Sequence, residues 1–526
     1  MNRSVLIVVL VLATFFFYSS ALDNGFTNWD DPKYLTQNKR VQVLSFESIA
    51  DLFTRTKIGY HHYIPLTLLS FAIENHFFGL DPKIFILNNI LLHCVNVLLV
   101  LWFVFLLLKR FDIAFMTAAL FAVHPVHVES VAWIVERKDV LYTLFYLGSI
   151  ISFIYSAKRE QKKNSFYSLS LLLFLFSLFS KPAAVTLPIV LLLIDLYFHG
   201  DIYVFDWKKM AGALFNKIPF FILSGIFVFI AFGQQKPGLF DIYSRLEHIM
   251  IGSYGFMFYV VKLIMPSGLS CFYPVPAKIN NSLPILFSIA PAVLIAAVFS
   301  LAFVFRKKRE LLFGLLFYCV TISLVTFFGA STALASDRYT YVPSIGVFLI
   351  ASYLVCHLVS HESIKNMAVR LSLKFLISCF FVVLAIMTFD RCKIWENGIT
   401  LWSDVISKYD NVTEAYVNRG NEYGRNKEYD LALEDYKKAL ELEPSNLTAL
   451  TSRGYLFYLM GFYDRAIDDY TKAISAYPQY VPAYLNRSLA YERIGEFRGA
   501  VDDLMKARMI DPNVSIERLN DLKKIK

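Results

Sequence analysis

The chain has 526 residues, of which 56% are hydrophobic, 16% aromatic and only 18% charged, against the roughly 25% charged residues of a soluble globular domain. With a mean hydropathy of +0.50, this composition excludes an ordinary soluble enzyme and points to a membrane protein. Charge is uneven: from Val412 onward 17 basic residues stand beside 18 acidic ones, while the preceding part holds 34 against 24. That basic excess travels with the apolar stretches, where it orients loops and faces anionic lipid, so nucleic-acid binding is not expected. None of the six cysteines (Cys94, Cys271, Cys319, Cys356, Cys379, Cys392) has metal-ligand spacing, which argues against a zinc site and a disulfide framework.

In chain order, residues 1–22 combine a basic start with a long apolar run ending at Ser19-Ser20-Ala21. These could form a cleavable signal, but an uncleaved first span is expected because about ten more follow. Crossing about 30 Å of hydrocarbon takes roughly 17–25 residues. On that basis spans are predicted at 5–22, 84–108, 112–126, 139–157, 166–180, 182–198, 218–233, 284–305, 311–330, 344–360 and 371–389. Residues 248–265 are ambiguous because they contain Lys262 and end at Met265-Pro266-Ser267-Gly268. Basic clusters mark cytoplasmic loops. The pairs Lys109-Arg110 and Lys208-Lys209, the run 158–163, Arg306-Lys307-Lys308-Arg309 and the segment of Lys365, Arg370 and Lys374 all fall inside if 248–265 does not cross. The expectation is therefore about eleven spans in an inner (cytoplasmic) membrane and an external, periplasmic C-terminus. Two long external loops, 23–65 and 234–283, and two short ones, 127–138 and 331–343, complete this topology.

Four polar motifs interrupt the apolar chain. Loop one reads Phe26-Thr27-Asn28-Trp29-Asp30-Asp31-Pro32-Lys33-Tyr34. Asp30 or Asp31 could act as a general base or hold a metal, or simply cap a turn. The segment from His124 to Asp139 carries His124, His127, Glu129, Glu136, Arg137, Lys138 and Asp139. His124, His127 and Glu129 could ligate a metal, although one short segment rarely supplies a full set, and Arg137 and Lys138 could hold a phosphate. The bland alternative is a solvated interfacial turn with Trp133 in an aromatic belt. Lys181, in Ser180-Lys181-Pro182, could bind phosphate as a point charge or snorkel to the interface. In Asp337-Arg338-Tyr339, Arg338 beside tyrosines suits a phosphate headgroup, with an Asp337–Arg338 structural pair as the alternative. No Walker loop, dinucleotide fingerprint, nucleophile elbow or HExxH is present.

The C-terminal part repeats every 34 residues. Tyr416, Gly420, Tyr423, Ala432, Tyr436, Ala439 and Pro444 recur as Leu450, Gly454, Phe457, Ala466, Tyr470, Ala473 and Pro478, then as Tyr484, Ser488, Tyr491, Ala500, Leu504, Ala507 and Pro512. This is the tetratricopeptide pattern, an α-solenoid of stacked helix pairs with a concave binding face. Three domains are expected: a membrane domain (1–390), a capping and linking helix (391–412, with Trp395, Leu401 and Trp402), and repeats at 413–446, 447–480 and 481–514 with a tail to 526. Asn418, Ser452 and Asn486 occupy matching positions, where an amide could hold an extended peptide backbone.

Taken together, the segments 28–34, Tyr63-Ile64-Pro65-Leu66, 124–133, 180–188 and 337–343, followed by the repeats, resemble the transmembrane and tetratricopeptide-repeat-containing family of O-mannosyltransferase-like proteins and its bacterial relatives. The resemblance implies an all-α polytopic bundle of the C-type glycosyltransferase fold, a polyprenyl-phosphate-linked sugar donor and inversion at the anomeric centre. It places Asp30 or Asp31 as base or acceptor-orienting carboxylate, with Arg137, Lys138, Lys181 and Arg338 on the donor phosphate. Tyr34, His124, His127, Glu129, Asp337 and Tyr339 are accessory candidates. The expected function is sugar transfer to an acceptor, Ser or Thr of a protein, on the external face, with no cofactor required and a divalent metal left open. Membrane lipid and a protein held by the repeats are the other expected partners. A non-catalytic scaffold for envelope proteins is the alternative; a transporter is disfavoured because the ionisable residues cluster at helix ends rather than mid-membrane.

Overall fold

The computed structural model describes residues 2–54, 63–158, 160–199, 211–212, 214–233, 243–278, 280–328, 333–360 and 366–515. The loop cations Arg159, Lys208, Lys209 and Lys365, parts of the external loops and the tail beyond 515 lie outside the described residues. The chain divides into two compact units, Met1–Glu396 and Asn397–Lys526, so the expected linking stretch 391–412 straddles the division.

The first unit is helical, and each expected span coincides with a helix. By length and composition, six helices among the described residues could cross a membrane, or seven if one bent pair counts as a span; three shorter apolar helices lie at Pro182–Phe198, Ile218–Phe232 and Ser344–Val359. The expected figure of eleven exceeds this because several apolar runs, such as Ile218–Phe232 with 15 residues, are shorter than the bilayer core. Large apolar side chains face outward along Ile285–Phe305 and Met367–Lys393, among them Phe299, Phe303, Phe375 and Val382. In water such a surface would be costly; against lipid it is not. Residues 248–265 fall in the helix Arg245–Ile264, which opens on a capping box between Ser244 and Glu247. At its far end the Lys262 ammonium donates to the Ser267 carbonyl oxygen at 2.6 Å, closing the turn that follows.

Two breaks place the polar motifs. Helix Phe111–Val123 stops at His124, whose ψ of 124° is extended, because the following Pro125 disfavours a helical conformation before it. The chain turns by 53° and continues as Pro125–His127 and Val128–Ala132, then Ile134–Glu136, before the long helix Arg137–Lys158. The second break is Lys181, held extended between Lys163–Ser180 and Pro182–Thr186. The stretch 127–138, expected as a short external loop, is not a solvated turn: every residue from Phe121 to Val140 is buried. A feature not foreseen is a short antiparallel pairing of Tyr273–Pro274 with Ala333–Ala335, which holds Asp337 against the loop carrying Tyr273.

The second unit starts with helix Gly398–Lys408, followed by three helix pairs, Thr413–Arg425 with Tyr429–Leu442, Leu447–Leu459 with Tyr463–Ala476, and Val481–Arg493 with Phe497–Ile510. The first helix of each pair packs through a small residue. A Cβ on Gly420 would sit 2.9 Å from Tyr436, and one on Gly454 2.7 Å from Tyr470, too close for either ring. In the third pair the ring is replaced by Leu504, and Ser488 fits there fully buried. Each pair is also bolted by a bidentate Arg–Asp bridge of 2.7–2.8 Å: Arg419–Asp435, Arg453–Asp469 and Arg487–Asp503. This 16-residue ladder was not anticipated from the repeat alignment, which followed aromatic and small residues only.

Candidate active site

The first loop carries the acidic pair, and the two carboxylates differ sharply. Asp31 is fully buried. One of its oxygens accepts from the Thr27 amide at 2.6 Å and the Thr27 hydroxyl at 3.0 Å, and the other from Trp133 Nε1 at 2.8 Å. Burial pushes its carboxyl up to about 7, against the lowering pull of the Thr27 and Trp133 hydrogen bonds. Asp31 is thus a brace between the loop and the segment of Trp133. Asp30 is half-buried, and its carboxylate makes no hydrogen bond among the described residues. The buried Tyr34 hydroxyl, pushed up to about 12 by burial, senses Lys138, Asp30, Glu136 and Arg338 together, so these groups share one neighbourhood. An interfacial belt position for Trp133 is also corrected. Its indole is 1% exposed and stacks between Trp29, at 4.9 Å and 14°, and Trp395, at 5.1 Å and 22°.

Three of the four cations expected at the donor phosphate converge on one carboxylate. Lys138 Nζ lies 3.0 Å from Glu136 Oε1, Arg338 Nε 3.2 Å from the same oxygen, and Lys181 Nζ 3.7 Å from Oε2. Arg338 also pairs with Glu129, and Lys181 with Asp139. The cations arrive from three segments: the start of Arg137–Lys158, the extended break at Lys181, and the short helix Asp337–Thr340. Tyr339 closes the side of the cluster, its ring 4.9 Å from the Arg338 guanidinium and 5.6 Å from Lys181 Nζ.

The fourth cation does not join them. Arg137, 1% exposed, donates to Asn89, to both oxygens of Glu74 and to the Phe85 carbonyl, and lies over Phe71. Its donors are used within the protein, so the expected phosphate role is corrected to an internal strut. The histidines are likewise internal. His127 bridges the Phe121 carbonyl at 2.9 Å and the Ser344 hydroxyl at 3.0 Å, while His124 contacts the Leu263 carbonyl at 3.1 Å and receives the Val126 amide at 3.3 Å. With their ring nitrogens engaged, neither is placed for the accessory role, and among the described residues no three His, Cys, Asp or Glu side chains group as metal ligands. Asp337 pairs not with Arg338 but with the Tyr273 hydroxyl at 2.7 Å; burial, with Glu129 adding and Arg391 opposing, pushes it up to about 7. Glu129 lies within the cluster as the Arg338 partner. In the repeats, Asn418, Ser452 and Asn486 occupy half-buried positions on the first helix of each pair, each one residue before the bridging arginine.

Glu136 and Asp139 were not singled out as site residues, nor was Glu74. The available signal was the run Glu136-Arg137-Lys138-Asp139, four charges directly before an apolar helix, a place where each must find a partner.

Tetratricopeptide repeat models match residues 413–446 and 458–513. Human protein O-mannosyl-transferase TMTC1 is 26% identical over 465 residues, 75% of this chain and 49% of that protein. The Caenorhabditis elegans protein O-mannosyl-transferase F38B6.6 is 24% identical, covering 84% of this chain and 63% of the relative. Over most of its length this chain is similar in sequence to the TMTC protein O-mannosyl-transferases. It spans 49% of the length of the human relative and 63% of that of the Caenorhabditis elegans one. Among solved structures, the archaeal oligosaccharyltransferase AglB from Archaeoglobus fulgidus is 13% identical with a TM-score of 0.41, over 84% of this chain and 60% of that one.

Proposed function

We propose that this protein is an integral-membrane glycosyltransferase of the C-type class that moves a sugar, mannose by analogy with its relatives' names, from a polyprenyl-phosphate donor to a Ser or Thr hydroxyl of a protein. The observation that carries the reading is the convergence of Lys138, Lys181 and Arg338 beside the half-buried carboxylate of Asp30. The acceptor oxygen attacks the anomeric carbon, the bond from that carbon to the phosphate oxygen breaks, and Asp30 takes the hydroxyl proton. Attack opposite the leaving group inverts the centre. The bonding electrons leave with the polyprenyl phosphate, and fixed cations stabilise the negative charge as it develops. Asp31 holds the loop rather than the proton. The repeats, through Asn418, Ser452 and Asn486, present the acceptor polypeptide. On this reading the site and the repeats lie on the external face of the inner membrane, and a reporter that fluoresces only in the cytoplasm, fused after Lys526, should stay dark.

The deciding experiment incubates membranes containing the protein with polyprenyl-phosphate sugars labelled in the sugar, mannose first. Label reaching protein, dependent on Asp30, supports the transferase. Absence of transfer from every donor offered leaves the repeat array as a scaffold for envelope proteins.

A further inference from the structure

Around the three cations stand three carboxylates, and they are not held alike. Glu129 receives the Arg338 backbone amide at 3.1 Å as well as its guanidinium. Asp139 is bonded to Lys181 and receives the Ser130 hydroxyl at 3.2 Å. Glu136 differs: it is completely buried, shared among Lys138, Lys181 and Arg338 with the Asp139 carboxyl alongside, yet neither oxygen receives a well-directed hydrogen bond from a cation or a backbone amide. A buried carboxylate normally collects directed donors, because leaving them unmade is costly. One that sits between cations without them is a counter-ion held by charge alone.

The charge count gives this a consequence. Among the buried groups in direct ion pairs, Lys138, Lys181 and Arg338 balance Glu129, Glu136 and Asp139, so this set is neutral as it stands. A phosphate brought to these cations adds a negative charge that nothing offsets, and like charges brought together in a site of low polarity repel strongly.

We infer that Glu136 is a resting counter-ion that occupies the anion position of the donor site and competes with the phosphate for Lys138, Lys181 and Arg338. This rests on the donor-site reading above and assigns Glu136 a positioning role: it keeps the cations gathered while the site is empty, and gives way when a phosphate arrives. Glu136 serves better than its neighbours because withdrawing it breaks no directed hydrogen bond from a cation or a backbone amide, whereas withdrawing Glu129 or Asp139 does.

The test measures binding of sugar-free undecaprenyl phosphate to the full-length protein in nanodiscs, followed by tryptophan fluorescence, since Trp29 and Trp133 lie beside Arg338. In Glu136→Gln the shape is kept and the competing charge is gone, and affinity should rise by about tenfold or more. Unchanged or weaker binding by the folded variant overturns the inference, because a carboxylate that merely organised the cations would lose affinity when removed. If the surplus positive charge prevents Glu136→Gln from folding, Glu136→Gln with Lys138→Met restores neutrality. That variant should still bind at least as tightly as the parent despite losing a cation, and a large loss of affinity overturns the competition. Binding by neither parent nor variants refutes the donor-site reading itself, and the counter-ion role falls with it; parental binding without a gain in the variant refutes the counter-ion role alone.

Discussion

Asp30 and Asp31 are chemically identical and adjacent, yet replacing each by Asn should produce opposite phenotypes. Asp31 accepts three hydrogen bonds, from the Thr27 amide and hydroxyl on one oxygen and Trp133 Nε1 on the other. An amide offers one oxygen and one NH2 group. If its oxygen faces Thr27, the NH2 confronts the Trp133 N–H, and one buried donor is orphaned. The flipped amide instead orphans the Thr27 backbone N–H, since its NH2 can donate to the Thr27 hydroxyl but not accept from the amide. The better orientation still loses one buried hydrogen bond, about 1–3 kcal/mol, and loosens the indole stack that Trp133 forms with Trp29 and Trp395. Asp31→Asn should therefore lower the unfolding midpoint of the purified protein and the yield of folded material. Whatever protein folds should retain transfer activity. Asp30 has no such bonds to lose, so Asp30→Asn should melt within about 0.5 kcal/mol of the parent. Loss of a general base slows turnover by roughly 10² to 10⁴, leaving donor binding in place. Thermal unfolding monitored by fluorescence, beside label transfer from polyprenyl-phosphate sugar, separates the two. Parental turnover in Asp30→Asn removes the assigned base, while parental stability in Asp31→Asn removes the brace.

The remaining predictions follow the same contacts. Arg338→Ala should weaken donor affinity by about 1.5–3 kcal/mol, the worth of a charge-assisted contact, while Arg137→Ala should mainly destabilise the protein by leaving Glu74 without its partner; equal loss of donor affinity in both, with unchanged melting, contradicts the division. Gly454→Ala should destabilise its helix pair by about 1–3 kcal/mol, because the new Cβ meets Tyr470 at 2.7 Å. Hydrogen exchange in residues 447–476 should rise, and unaltered protection would show that the ring moves aside freely. Asp31 and Asp337 each titrate near 7 in the folded protein against 3.8 for a free carboxyl. The folded state thus holds their protons longer, and the stability each provides is fully present below about pH 4 and lost as pH rises towards 7. Asp31→Asn and Asp337→Asn should each flatten that decline in a melting profile, and a parental profile already level between pH 4 and 7 contradicts the assignment.

The repeats were legible because their contacts are local. Gly420 meets Tyr436 and Gly454 meets Tyr470, partners 16 residues away within one helical hairpin, so the 34-residue period carries the packing in plain sight. Their Arg–Asp bridges lie at the same separation, so the charge pattern of the repeat carries them as well. The membrane helices were also legible, since an apolar run needs no partner to be recognised. What could not be read was their conduct at the breaks. Pro125 announces an interruption, but whether residues 124–139 then face water or turn inward depends on what waits inside to pair with them.

That distinction governs the site. A dense polar stretch between apolar runs looks like a solvated loop when each charge is considered alone, because an isolated buried charge is expensive. It becomes an interior feature only when the opposite charges are supplied from elsewhere in the chain. Arg137 is satisfied by Glu74, 63 residues earlier, and Glu129 by Arg338, 209 residues later. The cations could be recognised as a set from their motifs, yet nothing local reveals that Arg137 has already been claimed. Glu136 was hidden for the reverse reason. Beside Arg137 in sequence it looks paired to its neighbour, whereas in space it is the meeting point of Lys138, Lys181 and Arg338. Pairing the cations with internal carboxylates also explains how a cationic cluster can be buried at all. Three unbalanced positive charges would repel one another and draw in water, so the empty site has to contain its own anions. On the proposed donor-site reading, the arrangement that lets the protein fold around Lys138, Lys181 and Arg338 is therefore the one that an incoming phosphate would displace.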